Sequence, residues 1–229
     1  MPAPFFFAKV TMAPRKKPAD DAALKAKVLA AALTHAVFDG FTDKLLARAG
    51  EEAGIAKPDL ARLFPNGPLS LVEAFSESAD AAMQEDLAAL DLKAMKIRVR
   101  IAAAVMARIE AVRPHKEAAR RAAAFLTLPP HAALGARLVY RTVDAMWRAV
   151  GDTATDFNFY TKRGILAGVY SATLMRWFTD QSPDEGETAA FLTARIENVM
   201  QFEKFKAQAK QAMGRLPPLS DILGAFARR

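Results

Sequence analysis

The most informative segment of this chain is DFNFYTKRGILAGVYSATLMRWF, at residues 156–178. We predict that it forms one helix, which begins at Asp156 as an N-terminal cap or first-turn acid. At about 100° per residue, large apolar side chains fall on both sides of this helix, so both sides need a cover. One cover should be the protein core. The other could be a partner subunit, a lipid chain or more core.

Small residues form a low strip along one side of the predicted helix. Two glycines within a helix cost roughly 1 kcal/mol each relative to alanine, so we expect that another group approaches the backbone closely there. The strip could therefore line a chamber for an apolar ligand. Its small residues are Gly164, Ala167, Gly168 and Ser171, and Tyr160 and Met175 on the same side of the helix are added to the predicted lipid-binding residues.

Composition sets limits on the rest of the chain. Its 229 residues are 52% hydrophobic, which is enough for a sizeable core. There is no cysteine, so disulfides and thiol chemistry are excluded. The net charge of +7 lies at the two ends, with +4 in residues 1–18 and +4 in residues 201–229, which leaves −1 for the middle. Basic ends suit an anionic membrane surface or a nucleic acid.

Hydrophobic periodicity predicts an all-α protein without strands. We predict a disordered basic tail at residues 1–20, in which Met12 could be the true start and residues 1–11 an extension. A helix-turn-helix unit is predicted at residues 21–83, a helical domain at residues 84–213, and a linker with a short helix at residues 214–229. The predicted helices span about 21–38, 43–53, 58–64, 69–90, 93–112, 116–126, 132–150, 156–178 and 184–213.

The first three helices resemble the N-terminal unit of TetR-type regulators, including the Phe-Pro-Asn-Gly turn at residues 64–67. Their charge argues against nucleic-acid binding, because residues 19–83 hold six bases and ten acids, a net −4. The third helix offers Arg62 alone, beside Asp59, Leu60 and Ala61. We therefore expect a scaffold that does not bind DNA.

No catalytic site is predicted, and we expect neither an enzyme nor a cofactor. His35, His115 and His131 are scattered, and no metal-ligand spacing or phosphate-binding loop is present. The acid pairs at residues 51–52 and 184–185 are interpreted as solvated helix acids rather than a general acid and base.

We predict that the last segment, within residues 214–229, forms a short amphipathic helix with a basic end. It could bind a membrane surface, or it could pack on its own body or on a twin subunit. Its predicted membrane-binding residues are Leu219, Ile222, Leu223, Phe226, Arg228 and Arg229.

Residues 132–200 resemble a known family. The pattern Asp-Phe-Asn-aromatic-Tyr-Thr-basic-Arg at residues 156–163, preceded by Met-Trp at 146–147 and Gly-Asp at 151–152, is similar to the C-terminal region of the ubiquinone (coenzyme Q) biosynthesis accessory family. The segments 180–184 and 191–200 extend the resemblance. It implies a TetR-like, homodimeric, non-enzymatic protein that binds isoprenoid quinone intermediates at a membrane surface and presents them to the demethoxyubiquinone hydroxylase.

The resemblance also implies roles for single residues. It places Asp144, Met146, Phe159 and Tyr160 on a surface that faces the hydroxylase, and Arg163 against phospholipid head groups. We add Trp147 to the predicted lipid-binding residues. For Arg163 an intramolecular ion pair with Asp144 or Asp156 is the alternative. The family pattern has a Trp where this chain has Phe159, and an acid where it has Ala145, which weakens the expected docking.

An isoprenoid tail needs a long apolar chamber, and the small-residue strip could form one of its walls. A bilayer already shields such a tail from water, so a protein that extracts it should sit at the membrane. The expected location is the inner membrane face in a bacterium, or the mitochondrial matrix side in a eukaryote. Two other functions stay open, a TetR-type transcription regulator with a small-molecule effector pocket and a scaffold without a ligand.

Overall fold

The computed structural model describes residues 18–152 and 157–214, and these residues form nine α-helices and no strand. The helices are α1 (Pro18–Asp39), α2 (Asp43–Glu52), α3 (Lys57–Leu63), α4 (Pro68–Ala88), α5 (Ile97–Val112), α6 (Lys116–Thr127), α7 (Ala132–Ala149), α8 (Phe157–Thr179) and α9 (Gly186–Gly214).

Each of these nine helices was predicted, with ends that agree within four residues. The largest difference is the start of α5, which begins at Ile97 rather than at Lys93. Residues 92–94 form a separate 3-10 turn, and the extended backbone of Lys96 divides that turn from the helix. Residues 1–17 of the predicted tail, the cap Asp156 and the amphipathic helix near residues 219–226 lie outside the described residues. Residues 18–20, which were predicted to belong to the disordered tail, form the start of α1 instead.

The chain divides into two compact units, residues 1–75 and residues 76–229, and the division falls within α4. The predicted boundary after residue 83 stays a prediction. In the first unit, Thr42 caps α2 by accepting a hydrogen bond from the Leu45 amide. A Cβ on Gly50 would lie 2.5 Å from Leu60, so glycine lets α3 pack directly on α2.

The second unit surrounds α8, which packs against α6, α7 and α9. Trp177 of α8, Ile109 of α5, Met146 of α7 and Leu192 of α9 are fully buried at its centre. Among the helices described, none is both long enough and apolar enough to cross a membrane.

Polar side chains fix the corner between α8 and α9. The Asp180 carboxylate accepts hydrogen bonds from the backbone amides and hydroxyls of Ser182 and Thr188. Glu185 accepts from the Trp177 indole and pairs with Arg113 and Lys116 at 2.6 and 3.0 Å. The corner therefore locks the end of α8 to α5 and α6.

Candidate functional site

The small-residue strip of α8 lies on the surface. Tyr160 and Met175 are 68% and 62% exposed, Gly164 and Gly168 are exposed, and Ala167 and Ser171 are half-buried. A Cβ added to either glycine would have no neighbouring atom within 4 Å. Among the described residues the strip is therefore not covered by more core.

The opposite side of α8 is buried, and most of it is apolar. Leu166, Tyr170 and Trp177 are at most 4% exposed. Burial raises the pKa of the Tyr170 phenol, while the nearby Arg108 guanidinium acts in the opposite direction. One side of α8 thus belongs to the core, and no described residue covers Gly164 or Gly168 on the other side.

Arg163 is the buried charge on this helix, at 2% exposure. Its guanidinium lies 2.6 Å from Asp144 of α7 and 3.4 Å from Asp152 in the loop that follows, and it donates to the Phe159 carbonyl. Of the two alternatives for this residue, the structure shows the intramolecular ion pair with Asp144. The guanidinium is enclosed by protein in this arrangement, and the predicted contact of Arg163 with lipid head groups stays a prediction.

An aromatic pair connects Arg163 to the surface. The guanidinium lies 3.4 Å from the centre of the Phe159 ring, and that ring meets the edge of Tyr160 with 5.1 Å between centres. Two carboxylates therefore hold Arg163, Arg163 orients Phe159, and Phe159 supports the exposed phenol of Tyr160. This arrangement gives Tyr160 a defined position without burying it.

The predicted partner-facing residues do not all reach the surface. Tyr160 is exposed and Phe159 is half-buried, while the Asp144 side chain is 19% exposed and is engaged by Arg163 and Arg148. Met146 is fully buried, so its side chain does not reach the surface of the described residues, and its predicted part in partner binding stays a prediction.

Trp147, predicted to bind lipid, is half-buried beside the start of α8. Its indole donates to the Lys162 carbonyl at 3.3 Å, and the Lys162 ammonium lies 5.5 Å from the centre of its ring. Lys162 also pairs with Asp152 at 2.8 Å. Sequence reasoning missed Asp152 as the second partner of Arg163; its position directly after the helix-ending Gly151 was the available signal.

A second buried polar cluster was also missed. Arg108 of α5 lies 2.7 Å from Asp80 of α4, and Asp80 also accepts from the Thr142 hydroxyl of α7. These residues are 28 and 62 positions apart in sequence, and no local pattern connects them. The cluster ties three helices together inside the second unit.

A surface depression of about 270 Å³ lies beside Asp144. Its lining residues are Gln84, Arg141, Asp144, Ala145, Arg148 and Ala149. Both of its arginines are engaged, Arg141 with Glu77 and Arg148 with Asp144. The depression is smaller than the pockets that usually hold drug-sized ligands, so we regard the exposed strip on α8 as the better candidate for an apolar ligand.

The helix-turn-helix unit keeps its one α3 arginine engaged. Arg62 forms two hydrogen bonds with Asp21 of α1, the shorter one 2.6 Å, and a third contact with Asp59. The hydrogen bonds to Asp21 raise the pKa of the Arg62 guanidinium. In TetR-like folds the third helix is the one that would enter a DNA groove, and here its arginine is turned toward the protein's own acids.

Comparisons with known proteins agree with this description. The model of the COQ9 family matches residues 132–203. The "Ubiquinone biosynthesis protein COQ9, mitochondrial" of Drosophila melanogaster is 31% identical over 205 residues, which cover 84% of this chain and 62% of that protein. The proteins of the same name from Rattus norvegicus and Homo sapiens are 29% and 27% identical and are covered to 70% and 69%. The chain thus spans less than two thirds of the Drosophila protein.

The fold has a solved counterpart. A TetR transcriptional regulator from Nitrosomonas europaea superimposes with a TM-score of 0.62, over 76% of this chain and 97% of that structure. At 17% identity this likeness concerns the fold alone, and it confirms the predicted TetR-like architecture.

Proposed function

We propose that this chain, which is similar to the COQ9 ubiquinone biosynthesis proteins over most of its length, is a non-enzymatic accessory protein of ubiquinone biosynthesis. It binds isoprenoid quinone intermediates at a membrane surface and presents them to the demethoxyubiquinone hydroxylase. The names of its relatives describe biosynthesis proteins and no reaction, which supports an accessory role. The same names include the word mitochondrial, which supports a mitochondrial location in a eukaryote; the matrix side of the membrane is part of the proposal.

The observation that carries the proposal is the open strip on α8. Helix interiors disfavour glycine by roughly 1 kcal/mol relative to alanine, yet two glycines lie one turn apart where no described atom needs the space. An apolar chain bound along this strip would be stabilised by about 25 cal/mol for each Å² of apolar surface that it removes from water. Tyr160 and Met175 lie at the two ends of the strip. The helix α8 therefore offers both an apolar surface for the isoprenoid tail and an exposed aromatic ring for the partner protein.

The homodimer that the resemblance implies belongs to the same proposal. A second copy could cover part of the strip, since small residues let helices approach closely. Native mass spectrometry distinguishes a bound lipid from a second copy of the chain, because it reports the bound lipid and the oligomeric state in one measurement.

The test fills the strip without disturbing the core. Gly168→Leu places an isobutyl group where nothing lies within 4 Å, so the fold should be retained, and the helix should gain up to about 1 kcal/mol from its better propensity. We expect the purified variant to lose most of the isoprenoid lipid that co-purifies with the wild-type chain, measured by mass spectrometry of solvent extracts.

The matched control is Ala194→Leu, which adds an apolar side chain at an exposed position of α9. It should load lipid like the wild type. Equal loading of the Gly168→Leu variant and this control, or a wild-type chain that carries no isoprenoid lipid, would contradict the proposal.

A further inference from the structure

The turn between α4 and α5 carries exposed side chains that the proposed function does not use. Leu90, Ile97 and Val99 are 44%, 46% and 47% exposed. Between them in sequence lie the exposed cations Lys93, Lys96 and Arg98. We call residues 90–99 the cationic turn.

The three cations are available for an external partner. No described carboxylate lies within ion-pair distance of Lys93, Lys96 or Arg98, and Asp91 is the one acid of the turn. Elsewhere in the described chain, arginines of comparable exposure are paired, such as Arg62 with Asp21 and Arg148 with Asp144. The turn therefore presents its positive charge to solvent unneutralised.

These bases also lie where a helix favours acids. The first turn of α5 holds no acidic residue, and Lys96 occupies its N-cap position without a capping side chain. The positive end of the helix dipole repels cations at this end. A placement that works against the stability of α5 is expected where the charges serve an external contact.

Arg100 holds the cationic turn in a defined position. Its guanidinium donates to the carbonyls of Met95 at 2.9 Å and Lys93 at 3.2 Å, and to the carbonyl of Val150 at 3.1 Å. Val150 ends α7, directly before the loop that leads into α8. The turn is thus fixed at the end of the second unit where Tyr160 and the α8 strip begin.

We infer that the cationic turn is a contact site for an anionic phospholipid surface. Aliphatic side chains interleaved with unpaired bases match an interface with acyl chains on one side and phosphate on the other. The chain's own ends are poor occupants, because residues 1–18 and 201–229 each carry a net +4 and would be repelled. The inference rests on the proposed function and adds to it the face that meets the membrane.

The test is flotation of the full chain with vesicles of phosphatidylcholine, with and without phosphatidylglycerol. Lys93→Glu, Lys96→Glu and Arg98→Glu are combined in one variant, which should retain the fold because acids suit the start of α5. We expect its partitioning onto the anionic vesicles to fall at least roughly tenfold. The Ile97→Ser/Val99→Ser double variant should also bind more weakly, because it loses the apolar part of the contact.

The matched control reverses three exposed lysines of the first unit, Lys25, Lys44 and Lys57, and so changes the net charge by the same amount. It should float like the wild type if the site, rather than the overall charge, is responsible. Equal loss in both charge variants, or wild-type flotation of the turn variant, overturns the inference. So does a turn variant that floats normally but no longer binds an acidic protein partner.

Lipid loading is measured on the same preparations. Flotation then tests the membrane contact, and the bound isoprenoid lipid tests the proposed function, so that either one can be contradicted without the other. A turn variant that loses flotation but still carries isoprenoid lipid supports both. A wild-type chain that floats through the turn but carries no isoprenoid lipid supports the membrane site and contradicts the proposed function.

Discussion

The Arg163 guanidinium serves two carboxylates and one aromatic ring, and the exposed edge of the site depends on it. Asp144 and Asp152 neutralise it, and Phe159 lies flat beneath it. Removing one member of a buried ion pair destabilises the fold strongly, because the remaining charge is left buried without its partner. Arg163 is therefore a positioning residue for Phe159 and Tyr160.

Arg163→Ala should destabilise the fold by about 3–5 kcal/mol, because it leaves two carboxylates close together without their shared cation. The measurement is the urea midpoint followed by circular dichroism. Arg148→Ala provides the control, since Arg148 pairs with the same Asp144 but its side chain is 70% exposed. That pair should contribute less than about 1 kcal/mol, and equal losses in the two variants would argue against this role for Arg163.

Tyr160→Lys should leave both the fold and the lipid content unchanged, because the phenol is exposed and supports no buried neighbour. It should remove an aromatic contact of the kind that dominates protein interfaces, and so reduce capture of the demethoxyubiquinone hydroxylase in a pull-down at least roughly tenfold. Capture at the wild-type level would place the hydroxylase on another surface.

At the scale of the element, α8 shows what periodicity can predict and where it stops. The spacing of Gly164 and Gly168 predicted a shared side with Tyr160 and Met175, and the structure places these residues together on the surface. The same spacing does not tell which side faces the core, because both carry aromatic residues. Nor does it reveal that Arg163 turns inward, since that depends on Asp152 in a neighbouring loop.

The corner after α8 predicts a dependence on pH. Hydrogen bonds from Ser182 and Thr188 hold the pKa of Asp180 well below its usual range. A lowered pKa in the folded state stabilises the protein above about pH 4, the unfolded value, and this contribution is lost as the pH falls toward the folded pKa.

Asp180→Asn should therefore lower the melting temperature at pH 7, and its difference from the wild type should shrink as the pH falls below about 4. Differential scanning calorimetry across this range checks the effect. Glu197→Gln, at an exposed position of α9, is the control and should change little at any pH. A melting difference for Asp180→Asn that is independent of pH would show that the carboxylate charge is not responsible.

At the scale of the whole molecule, the helices were predictable because their signals are local. Pro114, Pro129 and Gly54 lie at helix ends that sequence reasoning found. The contacts between helices were not predictable in the same way. The cluster of Asp80, Arg108 and Thr142 joins residues from three helices, and its members become neighbours only once the chain has folded.

The TetR-like architecture also sets an expectation for nucleic acids. With Arg62 held by Asp21 and a net −4 over residues 19–83, we expect no sequence-specific DNA binding in mobility-shift assays with genomic fragments at low salt. The basic ends of the chain will give at most a shift that excess unrelated DNA removes. A shift that survives such competition would support the regulator alternative.

The unlike sides of α8 have a consequence for how this protein can change over generations. Trp177 and Arg163 restrict the inner side, since each has partners that a replacement would leave unpaired, and Tyr170 is buried there. No described residue covers Gly164 or Gly168, and Met175 is exposed. Mutational drift can therefore reshape the exposed strip while the inner side keeps the scaffold intact, and under the proposed function such drift would change the length of isoprenoid that the strip accepts.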